Sequence, residues 1–138
     1  MRYLLDTNAI SDLIRDPRGP VARRIRHVGE SNVATSVVVA AELRYGAAKK
    51  GSEPLATRVE AILGAIEVLA LEPPADAVYG RLRVDLERKG AMIGGNDLLI
   101  AAHAQAAGCT LVTDNEREFR RIPGLRIANW RRPGRPMS

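Results

Sequence analysis

Four acidic residues stand at the ends of short apolar segments or open them, and this restricts how the chain can fold. Asp6 ends the run Tyr3-Leu4-Leu5 and is followed by Thr7-Asn8. Glu42 breaks the run Val37-Val38-Val39-Ala40-Ala41, Asp97 opens Leu98-Leu99-Ile100-Ala101-Ala102, and Asp114 follows Leu111-Val112-Thr113. Such segments lie against a core, where an ionised carboxylate is expensive unless it is paired or holds a cation. No basic residue adjoins Asp6 or Asp97. The pattern points to convergence of the four on a divalent cation.

The segments between them alternate in type. Residues 3–6 read as a short buried strand, with Thr7 or Asn8 capping a helix over 9–15 that Pro17 ends. Gly19-Pro20 starts a second short helix, and 32–35 form a second strand. Ser36 then caps a helix running to about Lys50. On that helix Val38, Ala41, Glu42 and Tyr45 share one face, expected to point inward with Glu42 as its odd member. Pro54 opens a further helix, 67–71 form a strand, and Pro73-Pro74 precede a helix over 75–89 with Val78, Leu82 and Leu86 on one side. Gly94-Gly95 form a turn before a helix over 97–107. Residues 110–112 are a strand, Asp114-Asn115 begin a polar loop, and 125–128 are a last strand.

Strands alternating with helices predict one α/β domain over residues 1–130, with a mostly parallel central sheet flanked by helices on both faces. An Arg-, Gly- and Pro-rich segment over 131–138 reads as a basic, flexible tail. In sheets of this kind ligands gather beyond the carboxyl ends of the strands. Asp6 and Asp114 lie at two such ends, and Asp97 and Glu42 lie on helices that follow, so all four can meet at one edge.

A chain of 138 residues fits a single domain with its own core. Its one cysteine, Cys109, excludes an internal disulfide and fits a reducing compartment, and no stretch approaches the roughly 20 apolar residues that cross a bilayer. A cytoplasmic protein with no membrane contact is expected. The formal net charge is +5, and only three of the 21 basic residues are lysine. Excess positive charge favours a polyanionic partner such as nucleic acid through long-range steering, although solvated arginine explains it equally well.

Two bare carboxylates about 4 Å apart repel by roughly 4 kcal/mol at an effective dielectric of 20. Several together protonate or recruit cations, and an all-oxygen set without His or Cys suits Mg²⁺ or Mn²⁺ better than zinc. The chemistry such a site serves best is phosphoester hydrolysis. Taken singly, each acid has a plainer explanation: Asp97 complementing a helix dipole, Asp6 as a cap, Asp114 in a turn, Glu42 in an ion pair. Their conjunction is more specific than any member. His103 in its apolar helix reads as structural, since no Ser or Cys nucleophile accompanies it. His27 reads as a surface residue, and Trp130 as a side chain packed on the domain.

The segments Leu5-Asp6-Thr7-Asn8, Ser36 to Glu42-Leu43, Asn96-Asp97-Leu98-Leu99-Ile100-Ala101-Ala102 and Leu111-Val112-Thr113-Asp114-Asn115 resemble, in this order, the signature segments of PIN-domain ribonucleases, nearest to the VapC toxins of toxin–antitoxin pairs. The resemblance implies a PIN fold, a Mg²⁺- or Mn²⁺-dependent endoribonuclease and a homodimer. It also implies a VapB antitoxin whose C-terminal segment covers the acidic pocket, lifting the block on translation that cleavage of RNA, for instance tRNA, imposes. Asp6, Glu42 and Asp97 match the metal-binding acids, and Asn8 and Thr113 match supporting polar residues. The fourth acidic place falls on Asp114 or on Asn115 with an uncharged oxygen. In the expected mechanism Asp6 and Asp97 hold the metal and Glu42 orients the attacking water. Arg15, Arg44 and Arg117 are candidates for neighbouring phosphates. A free-standing RNA-processing nuclease and an inactive PIN-fold interaction module are the alternatives. A phosphoacceptor domain would need paired acids and a late lysine, and an Asp-nucleophile phosphatase an Asp where Asn8 stands.

Overall fold

The computed structural model describes residues 2–131. Five strands, β1 (Tyr3–Leu5), β2 (Val33–Ser36), β3 (Glu67–Leu69), β4 (Thr110–Val112) and β5 (Ile127–Ala128), form one sheet in the order β3-β2-β1-β4-β5. Every pairing is parallel, with Leu5 of β1 opposite Thr35 on one side and Val112 on the other. Parallel neighbours require crossovers, and helices supply most of them. Leu4, Leu5, Ala34, Thr35, Ser36 and Leu111 have no exposed surface, so the middle of the sheet is covered on both faces. This is the expected α/β architecture.

Helix boundaries follow local chemistry. The first, α1 (Thr7–Arg15), begins two residues earlier than the sequence predicts. Asp6 itself is the cap: its backbone is extended and its carboxylate accepts Ala9 N–H at 2.8 Å. The second, α2 (Pro20–Val28), starts on Pro20, whose missing N–H is harmless there. Ser36 caps α3 (Val37–Lys50) through Val38 N–H at 3.0 Å. That helix ends at Gly51, whose φ of 62° is left-handed. Ser52 and Pro54 open α4 (Glu53–Ala65).

The inward face of α3 departs from expectation. Val39, Ala40, Leu43 and Ala47 are buried, whereas Tyr45 is 65% exposed and Glu42 lies at the margin. Residues 37–41 are apolar on every side, so composition alone leaves the face open. Contacts with α4 above all, and with α1 and α6 (Gly95–Ala106), settle it. Glu42 is thereby set beside the core rather than within it.

The longest helix–helix contact joins α5 (Ala75–Arg88) to α6. The expected polar loop after Asp114 winds into a one-turn helix, α7 (Glu116–Phe119), because Phe119 is drawn into the core. Trp130 is buried and packs on Tyr3 with ring centroids 5.0 Å apart, as expected for a side chain that closes the domain. Residues 132–138 of the expected tail lie outside the described residues. Among the described residues no helix is long and apolar enough to cross a membrane.

Strand order reverses beside β1: the chain moves outward to β2 and β3, then returns to β4 and β5. A crevice opens beyond the carboxyl ends at such a point. Here those ends are Asp6 and Thr113, joined by Asp6 N–H donating to Val112 O at 3.0 Å.

Candidate active site

Asp6 anchors the crevice. It is only 3% exposed, and its pKa is pushed up to about 6. Burial is the main cause, with Asp114 and Glu42 adding repulsion, while hydrogen bonds from Thr113 and Ala9 N–H pull the other way. Thr113 Oγ1 accepts Asn115 N–H at 3.0 Å, which leaves its single proton for Asp6.

Asp97 stands in the first turn of α6, and its pKa is pushed up to about 7. Burial comes first; a hydrogen bond with Glu118 and the charges of Glu118, Glu42 and Asp6 add to it. Burial also works against ionisation of Glu118, but hydrogen bonds from Gly94 N–H, Asp97 and Asn115 outweigh it and hold Glu118 below the usual range. Within the pair Asp97 is the carboxyl pushed toward its protonated form, and Glu118 the one held toward its ionised form.

Glu42 reaches the crevice from the second turn of α3. One of its oxygens takes the Thr7 hydroxyl and the other takes Asn96 Nδ2 at 3.2 Å. Asp6, Glu42 and Asp97 therefore lie within electrostatic reach of one another. Asp114 is near enough to repel Asp6 but is ion-paired with Arg131.

Glu118 joins the acids, and sequence reasoning missed it. Gly94 N–H donates to one oxygen at 3.1 Å and Asn115 Nδ2 to the other at 3.1 Å. The available signal was its place in Glu116-Arg117-Glu118-Phe119, where a core aromatic fixes the turn that presents it. Thr7 was also overlooked as a support. Asn8 is exposed, and it is Thr7 that bonds Glu42.

Among the described residues no three acidic, His or Cys side chains are gathered into a ready set of metal ligands. Each carboxylate is instead hydrogen-bonded to its own neighbours: Glu42 to Thr7 and Asn96, Asp6 to Thr113, and Glu118 to Asn115 and Gly94 N–H. As donors they fit a hard divalent cation: all are oxygen, and Asp6 and Asp97 are raised in pKa by burial, with repulsion from their acidic neighbours adding to it. A groove of about 290 Å³ borders Glu42 and Thr7 and extends past Arg15 to Lys50 and Leu55. Arg15 lies 3.4 Å from Asp12, and Arg44 forks onto Glu60 at 2.9 Å through both nitrogens. Arg117 is exposed on α7.

His103 is buried away from this chemistry. Its Nδ1 lies 2.8 Å from Ser36 Oγ, and burial lowers its pKa against a hydrogen bond to the Ala70 backbone. It ties α6 to the sheet, as expected of a structural histidine.

Residues 3–125 match the PIN domain model. The chain belongs to the PIN-domain family. Ribonuclease VapC2 of Rickettsia felis is 40% identical to this PIN domain over 132 residues, spanning 94% of this chain and 98% of that one. The tRNA(fMet)-specific endonuclease VapC of Salmonella typhimurium is 36% identical over 131 residues, with the same coverage. Among solved structures, VapBC2 from Rickettsia felis bound to a DNA fragment from their promoter superposes with a TM-score of 0.88. The identity is 39%, covering 94% of this chain and 99% of that one. PIN-domain ribonucleases generally use divalent metal ions, in keeping with the donor set above.

Proposed function

We propose that this PIN domain is a VapC-type toxin, an endoribonuclease that hydrolyses RNA phosphodiester bonds at the acidic crevice with Mg²⁺ or Mn²⁺. The observation that carries the reading is Asp6, a buried acid whose pKa is pushed up to about 6, with Glu42 and Asp114 adding repulsion and no basic group among the causes that shift it. Asp6, Asp97 and Glu118 would hold the cation, with Glu42 at its margin. When bound, such an ion neutralises phosphate charge and makes water a better nucleophile. Glu42, steadied by Thr7 and Asn96, orients the water and accepts its proton. Attack in line on phosphorus then releases the ribose oxygen. The net charge of +5 draws the polyanion in.

A VapB-like antitoxin is the expected partner, its C-terminal segment covering the acids and following the groove beside Glu42. The toxin would act as a homodimer in the cytoplasm and arrest translation, with tRNA as the leading class of target. Purified protein incubated with total RNA tests the activity. Cleavage that appears with Mg²⁺ or Mn²⁺ and vanishes with chelator is expected; an intact RNA pool under both conditions would refute it.

A further inference from the structure

Asp114 is close enough to Asp6 to repel it, yet its charge is engaged elsewhere. Arg131 Nη1 donates to Asp114 Oδ2, and Arg131 Nε lies 3.3 Å from Asp12 Oδ1 on α1. Asp12 is itself buried and also lies 3.4 Å from Arg15. The guanidinium therefore bridges two carboxylates on the flank of the crevice. Its backbone is fixed: Trp130 before it is buried against Tyr3, and Arg131 N–H donates to Asn129 Oδ1 at 3.0 Å. Contact with two carboxylates, one of them on buried Asp12, helps offset the side-chain entropy that an ordinary surface ion pair gives up.

We propose that Arg131 is a positioning residue for the acidic crevice, drawing Asp114 out of the cation-binding set and limiting the local negative charge to Asp6, Glu42, Asp97 and Glu118. This rests on the reading that the crevice takes a divalent cation. The chemical sense is a balance of charge. A fifth free carboxylate would tighten the hold on the cation but repel the phosphodiester that must enter beside it. The bridge to Asp12 keeps the guanidinium at the flank, so it neutralises Asp114 without filling the crevice.

Calorimetric titration of the whole protein with Mn²⁺, in the absence of RNA, reads this directly. Arg131→Gln frees Asp114 and is expected to tighten Mn²⁺ binding by about threefold to tenfold. Arg131→Lys, which keeps the charge, stays near the wild-type affinity. In an Asp114→Asn background the Arg131→Gln effect disappears, because the charge that it released is gone. Unchanged or weaker binding by Arg131→Gln, or the same gain in the Asp114→Asn background, would overturn the assignment. Should Arg131→Gln fail to fold, Asp114→Asn alone decides. It leaves Mn²⁺ affinity within about twofold if Asp114 is already withdrawn, and a loss of about tenfold or more would make it a ligand. A protein that binds Mn²⁺ in this pattern but cleaves no RNA would fail the ribonuclease reading and leave the role of Arg131 standing.

Discussion

Asp97 at the start of α6 and Glu118 on α7 are hydrogen-bonded and pull each other's titration in opposite directions, which makes the pair the most sensitive point of the crevice. A divalent cation held there would offset the repulsion among Asp97, Glu42 and Asp6. Asp97→Asn keeps the shape and the hydrogen bond to Glu118 but forfeits the charge. Cleavage is expected to fall by more than about a hundredfold, beyond the range of outer-shell substitutions. Its melting temperature without metal should equal or exceed that of the wild type, since one source of like-charge repulsion is gone. RNA gels and thermal melts of the same preparation check both halves. Undiminished cleavage would remove Asp97 from the chemistry. Glu118→Gln is expected to lose cleavage likewise, without the gain in melting temperature, because Gly94 N–H and Asn115 stabilise its ionised form. Asp6, Glu42 and Asp97 were legible because an acid in an apolar run needs a reason. Glu118 was not, because a glutamate in Glu116-Arg117-Glu118-Phe119 looks solvated until β4 and α6 bring Asn115 and Gly94 to it.

Elements were legible where side chains signal their own backbone. Ser36 announced α3, Pro20 announced α2, and residues 110–112 were read as β4. The inward face of α3 was not, because an apolar run such as Val37 to Ala41 offers every face to a core and packing against α4, α1 and α6 chooses one. Nor was α7, whose single turn depends on Phe119 reaching the interior. Ser36 illustrates how much one side chain can join. Its oxygen accepts Val38 N–H and lies 2.8 Å from His103 Nδ1, and the same ring hydrogen-bonds the Ala70 backbone. Ser36→Ala removes the cap and strands a buried imidazole nitrogen. A loss of about 2–3 kcal/mol is expected from the two effects together, read as a lower urea midpoint with an unchanged slope. An unaltered midpoint would mean that the serine carries neither load.

For the molecule as a whole, these titrations set opposing dependences of stability on pH. The folded state raises Asp6 from 3.8 to about 6 and Asp97 to about 7. Acids raised in this way favour the folded state below their ordinary values, and that advantage is lost as pH climbs through the folded ones. For buried Asp6 alone the displacement corresponds to about 3 kcal/mol between pH 4 and neutrality. His103 acts in the other direction: its folded pKa is lowered, so unfolded chains take up its proton first and stability falls as pH drops below the ordinary 6.5. Above pH 7 the histidine is neutral in both states and the acidic burden stands in full. A divalent cation can offset that burden there and gains little at pH 5, where Asp6 and Asp97 are largely protonated. Saturating Mg²⁺ or Mn²⁺ is therefore expected to raise the melting temperature several degrees at pH 8 and scarcely at all at pH 5. Asp6→Asn should erase most of the difference. Melting curves with metal and with chelator at the two pH values provide the check, and an equal metal effect at both would show that the cation binds somewhere other than these carboxylates.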